Sequence, residues 1–87
     1  MTILVTGATG FIGKHVVLQL AKRNINIIAA DIDLGKNKDK LINEYKKNDF
    51  DIKKLTFEKL DITNQKNIDL IFEKYNYDSI IHLAYGI

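Results

Sequence analysis

Thr6-Gly7-Ala8-Thr9-Gly10-Phe11-Ile12-Gly13 constrains this chain more than any other stretch. A short apolar run, Ile3-Leu4-Val5, precedes it, and an amphipathic segment begins at Phe11. Glycines spaced by three at a strand-to-helix junction let the turn bend tightly and let a ligand approach the backbone closely. The unpaired N–H groups of the helix start, at the positive end of its dipole, then face that ligand. An anionic group such as a pyrophosphate suits this platform. Gly7 is expected to make the turn, Gly10 to allow close approach, and Gly13 to pack helix on strand. The amides of Phe11 and Ile12 are the expected phosphate donors. The same residues also suit a tight connection with no ligand.

The rest of the chain supplies a context for that loop. Thr2–Thr6 reads as a buried strand. Ile12, Val16, Val17, Leu20 and Ala21 keep helical spacing from Phe11 to about Arg23. Ile25–Ala30 is a β-branched run ending at Asp31. A charged helix with a thin apolar stripe (Leu41, Ile42, Tyr45) spans about Lys36 to Asn48. Leu55 and Phe57 begin a weaker strand, suited to a sheet edge, whose run continues through Leu60 and Ile62. Thr63 is expected to cap a helix reaching Tyr75, with Ile68, Ile71, Phe72 and Tyr75 on one face. Ser79–Ala84 is the fourth strand. The order β-α-β-α-β-α-β predicts an α/β fold: a parallel sheet in order 3-2-1-4 with three crossover helices on both faces. Strands 1 and 4 then flank the point where the strand order reverses. There the glycine loop meets the segment Ala84-Tyr85-Gly86.

Asp31 ends the second strand 18 residues after Gly13. That is near the separation expected for a carboxylate that accepts hydrogen bonds from both hydroxyls of an adenine ribose. Such a carboxylate repels a 2′-phosphate, so NAD is expected over NADP. A loop-capping carboxylate is the alternative for Asp31. Asp33 is a second candidate for the ribose. Lys36 and Lys38, within reach of a 2′-phosphate, keep NADP as the lesser option.

Composition excludes other classes. With 87 residues the chain holds one small domain, and no second domain is expected. The absence of cysteine removes disulfides, thiolate nucleophiles and cysteine-based zinc sites, and fits a cytoplasmic location. No apolar run approaches the roughly 18 residues of a membrane span, and no signal-like segment opens the chain. The net charge is +2. The lysines between Lys36 and Lys59 are mixed with acidic residues, and interleaved aromatics suited to stacking on bases are not evident, so no nucleic-acid partner is expected.

Val5-Thr6-Gly7-Ala8-Thr9-Gly10-Phe11-Ile12-Gly13, then Asp31, Asp61-Ile62 and Ile81-His82-Leu83-Ala84, support a family name. The chain resembles the N-terminal part of the extended short-chain dehydrogenase/reductase family, the NAD-dependent epimerases and dehydratases of nucleotide sugars. The resemblance covers essentially all of the chain and implies the N-terminal part, residues 1–87, of an NAD(P)-binding Rossmann domain. It implies that Asp61 bonds the adenine amino group, that the Ile62 amide contacts a ring nitrogen, and that Leu83-Ala84 passes the nicotinamide-side ribose. A helix-start carboxylate near Thr63 is the alternative for Asp61. His82 is expected to be a structural strand-end histidine, and His15 a surface one. Tyr85 stands where the family often has alanine or glycine.

The family's chemistry uses a tyrosine with a lysine four positions on. Tyr45, Tyr75 and Tyr77 have Asp49, Ser79 and Ile81 there, and the chain ends before the fourth position after Tyr85. No catalytic residue is therefore expected within these residues, and no metal site. The expected role is the NAD-binding half of a nucleotide-sugar epimerase or dehydratase. A non-catalytic dinucleotide-binding module and a truncated gene remnant are the alternatives. Self-association through an uncovered edge of the fourth strand is also expected.

Overall fold

Alternate residues of a strand point to opposite faces, so a strand apolar at every position must be covered on both sides. The Ile3-Leu4-Val5 run of strand β1 (Thr2–Thr6) is of this kind, and the computed structural model, which describes residues 1–84, places β1 inside the sheet. Its neighbours are β2 (Asn26–Asp31) and β4 (Ser79–His82), and β3 (Leu55–Lys59) pairs with β2 at one edge. All pairings are parallel and the order is β3-β2-β1-β4, as the periodicity predicts.

Helices α1 (Phe11–Lys22) and α2 (Gly35–Lys47) cover one face, and α3 (Gln65–Lys74) covers the other. On the first face Ile3, Val5, Ile27, Ala29 and Leu55 pack with Val17, Ala21, Leu41 and Tyr45. On the second, Leu4, Ile28 and Ala30 pack with Leu60 and Ile71. The Glu58 carboxylate ties β3 to the end of α3: it pairs with the Lys74 ammonium at 2.8 Å and accepts the Tyr75 hydroxyl. Partial burial raises the Glu58 pKa. The hydrogen bonds from Lys74 and Tyr75, with the lysine's charge, more than offset that and hold it below the usual value.

Both helices of the first face stop in the same way. Asn24 and Asp49 take positive φ (60° and 58°), which asparagine and aspartate tolerate better than most residues. The Asn24 N–H donates to the Ala21 carbonyl and the Ile25 N–H to that of Leu20. Asp49 and Phe50 repeat the pattern on Lys46 and Tyr45. These are Schellman ends, which satisfy the last carbonyls of each helix.

Several boundaries differ from the sequence reading. Asn64, not Thr63, caps α3: its side chain accepts the Asn67 N–H at 3.1 Å. The Thr63 hydroxyl is instead taken by Asp61 at 2.6 Å. Strand β3 stops at Lys59, because the chain must turn across the sheet end to reach α3. Strand β4 stops at His82, and a short 3-10 helix, Ile52–Lys54, precedes β3. Ile12 and Phe72 belong to apolar stripes yet stay 65% and 44% exposed. Ile12 sits in the first turn of α1, at the sheet end, and Phe72 at the rim of α3. The Tyr85-Gly86 part of the predicted crevice segment lies outside the described residues.

Tyr45 is 1% exposed, and its hydroxyl has no hydrogen-bond partner among the described residues. Burial pushes its pKa up to about 12. An unpaired buried hydroxyl costs about 1–3 kcal/mol. Tyr45→Phe keeps the edge-on contact with Phe50, whose ring centroid is 5.6 Å away. It is expected to raise stability by about 1 kcal/mol, read as a higher urea midpoint at unchanged slope. A lower midpoint would show that the hydroxyl finds a partner.

Candidate functional site

In a parallel sheet every strand ends on the same side, so the loops that follow share one end of the molecule. A crevice of about 810 Å³ opens there. The glycine loop after β1 forms its floor. Gly7 has φ of +68°, the left-handed region that glycine occupies without strain. A Cβ on Gly7 would lie 2.8 Å from the Ala84 nitrogen, so the loop touches the chain leaving β4. A Cβ on Gly13 would lie 1.9 Å from the Gly7 carbonyl oxygen, so α1 rests directly on the loop. Gly10 differs: a Cβ there would meet only the Gly7 oxygen, at 3.4 Å. Its open side belongs to the crevice.

Helix α1 begins at this loop with no side-chain cap and no acidic residue in its first turn. Its first helical hydrogen bond runs from the Lys14 N–H to the Gly10 carbonyl at 2.8 Å. The N–H groups of Phe11, Ile12 and Gly13 precede that bond and have no acceptor within the helix. Those three residues line the crevice beside Gly10. Helix starts of this kind suit anions, and no carboxylate of the first turn would compete for one here.

The ends of β2 and β3 supply the opposite wall. Asp31 lies at the crevice, and its carboxylate is already engaged. Oδ2 accepts the Thr9 N–H at 3.1 Å and the Thr9 hydroxyl at 2.8 Å, and Oδ1 accepts the Ile32 N–H at 2.8 Å. Asp61 Oδ1 accepts the Thr63 N–H and hydroxyl at 2.9 and 2.6 Å. Those bonds, the hydroxyl's first, hold the Asp61 carboxyl below its ordinary pKa, as an ionised acceptor. The Asn67 side chain fixes the Asp61 backbone by accepting its N–H at 2.7 Å.

Strand β4 closes the site. The Thr6 hydroxyl oxygen accepts the N–H groups of Leu83 and Ala84 at 3.1 and 3.3 Å, and lies 2.6 Å from His82 Nδ1. Thr6 therefore fastens the end of β4 to the end of β1.

All of Gly7, Gly10, Phe11, Ile12, Gly13, Asp31, Asp61, Ile62, Leu83 and Ala84 line this one crevice. Asp33, Lys36 and Lys38 do not, and the Lys38 ammonium stands over the Phe57 ring, 5.3 Å from its centroid. His15 is on the surface, edge-on to Phe11 at 5.0 Å. The sequence reading missed Ile32 and Leu60 as lining residues, and Thr9 as the partner of Asp31. Threonine between two glycines was the available signal for Thr9. Among the described residues no cluster of three or more histidine, aspartate or glutamate side chains could hold a metal ion, and no helix is long and apolar enough to cross a membrane.

The crevice thus brings together the open side of Gly10, an uncapped helix start, the carboxylates of Asp31 and Asp61, and apolar side chains.

The model of the NAD dependent epimerase/dehydratase family matches residues 3–87. UDP-glucose 4-epimerase 4 of Oryza sativa subsp. japonica is 31% identical over 84 residues, covering 95% of this chain and 22% of its own length. The chain spans about a quarter of the length of the curated relatives it matches. Among solved structures, yeast methylglyoxal/isovaleraldehyde reductase Gre2 complexed with NADPH superposes with a TM-score of 0.78 at 26% identity, over 100% of this chain and 28% of that one. The UDP-Glc/GlcNAc 4-epimerase of Campylobacter jejuni gives 0.76 at 27% identity, over 99% and 25%.

Proposed function

The chain belongs to the NAD-dependent epimerase/dehydratase family, and from that premise we propose that residues 1–87 form the N-terminal, NAD-binding part of a nucleotide-sugar epimerase or dehydratase. The observation that carries this reading is the convergence, in one crevice, of an uncapped helix start, a glycine left open at Gly10, and a carboxylate at the end of β2. The helix start and Gly10 take the pyrophosphate. Asp31 takes the adenine ribose, Asp61 and Ile62 the adenine edge, and Leu83-Ala84 the second ribose. When bound, the dinucleotide supplies a hydride acceptor for a sugar carbon. The nucleotide-sugar substrate is supported by the epimerase names of the relatives.

NAD is preferred over NADP because a carboxylate at the end of β2 would repel a 2′-phosphate, and among the described residues no lysine or arginine lines the crevice to offset it. The lack of cysteine supports a reducing, cytoplasmic setting. Calorimetric titration of the chain with each cofactor tests the reading. Asp31→Ala is expected to weaken NAD by about 1–3 kcal/mol, the cost of losing a hydrogen bond to a charged group, and NADP by less. Equal losses for both cofactors would remove Asp31 from the ribose site. No binding of either cofactor to the folded parent chain would remove the proposal.

A further inference from the structure

We propose that Thr9 is a positioning residue: it pins the Asp31 carboxylate to the glycine loop, and so sets the choice between a free 2′-hydroxyl and a 2′-phosphate. The inference rests on the reading of Asp31 as the ribose partner.

Thr9 is only 7% exposed, and both its donors point at one oxygen of Asp31. The Ile32 N–H holds the other oxygen. A carboxylate offers about four acceptor positions, so three donors leave about one, on Oδ1. Asp31 therefore keeps about one acceptor position, on Oδ1, for the ribose while these bonds hold. The same turn is tied to β2 through the Ala8 N–H and the Ala30 carbonyl at 3.2 Å. Phosphate cradle and ribose carboxylate thus form one rigid unit.

A 2′-phosphate could enter only if the carboxylate swung aside, because two anions at contact repel and among the described residues no lysine or arginine lines the crevice. Swinging aside gives up charge-assisted bonds, which are the stronger kind. Two of the three donors are backbone amides. The Thr9 hydroxyl is the one that a substitution removes.

Thr9→Val keeps the shape and deletes the hydroxyl. Calorimetry of the chain with NAD and NADP is expected to show the NAD-to-NADP affinity ratio narrowing by about tenfold, the worth of one hydrogen bond to a charged group. Thr9→Ser keeps the hydroxyl and is expected to restore the parent ratio. A ratio within one protein is insensitive to a general loss of stability, which lowers both affinities together. Should Thr9→Val not fold, Thr9→Ala serves as the second deletion. The inference is overturned if the deletion leaves the ratio unchanged, or if Thr9→Ser fails to restore it. Comparison with Asp31→Ala separates the two claims. An unchanged ratio in Thr9→Val beside a narrowed one in Asp31→Ala overturns the role of Thr9 alone. An unchanged ratio in Asp31→Ala overturns the ribose reading, and this inference with it.

Discussion

Gly13→Ala is expected to cost the chain about 3 kcal/mol of stability, read as a sharply lower urea midpoint. The added Cβ would stand 1.9 Å from the Gly7 carbonyl oxygen and 2.8 Å from both the Ala8 Cα and the Gly7 carbonyl carbon. All three atoms are backbone, so no side chain can rotate away. Relief requires lifting α1 off the loop, which opens the contact of Val17 and Ala21 with the sheet. Overpacking of this kind costs about 3 kcal/mol or more. A domain of this length has roughly 4–13 kcal/mol of stability to lose, and a small core puts it at the low end. Circular dichroism during urea titration reads the effect. A cooperative transition with a midpoint near the parent's would show that the helix and loop are less tightly apposed.

Gly10→Val, three residues earlier in the same motif, is expected to do the opposite: fold and fail to bind. Gly10 has φ of −71° and ψ of 174°, an extended conformation open to any residue. Its Cβ would find ordinary space, with one oxygen at 3.4 Å. The side chain would project into the crevice, where the proposed pyrophosphate meets the amides of Phe11 and Ile12. Stability should change by less than about 1 kcal/mol. NAD affinity should fall by about a hundredfold, since close approach to several amides is lost together. Melting and calorimetric titration of one sample measure both. Parent-like NAD affinity in the folded variant would refute the phosphate assignment. The contrast between the two glycines is itself the diagnostic. A glycine motif kept only for a tight turn would show loss of stability at both positions.

Much of the architecture was legible because it rests on local physics. Helical spacing placed Val17, Ala21 and Ile71 on inward faces, and they are buried. Uninterrupted apolar runs marked β1 and β2 as strands covered on both sides. The errors are local too. Thr63 and Asn64 are both good helix caps, and the choice fell to Asn64 because Asp61 engages Thr63. Ile12 and Phe72 follow apolar spacing, but a stripe extending past the sheet's end has nothing to pack on.

Order of elements, parallel pairing and the glycine cradle follow from patterns a few residues long, and for those the amino-acid string suffices. The wiring of the crevice comes from contacts between distant positions. Thr9 meets Asp31 across 22 residues, and Thr6 meets His82 across 76. These bonds settle which oxygen of Asp31 keeps an open acceptor position, and they fasten the end of β4 to that of β1. No periodicity encodes them, because a hydrogen bond depends on distance and angle between side chains, and folding alone brings those strand ends together.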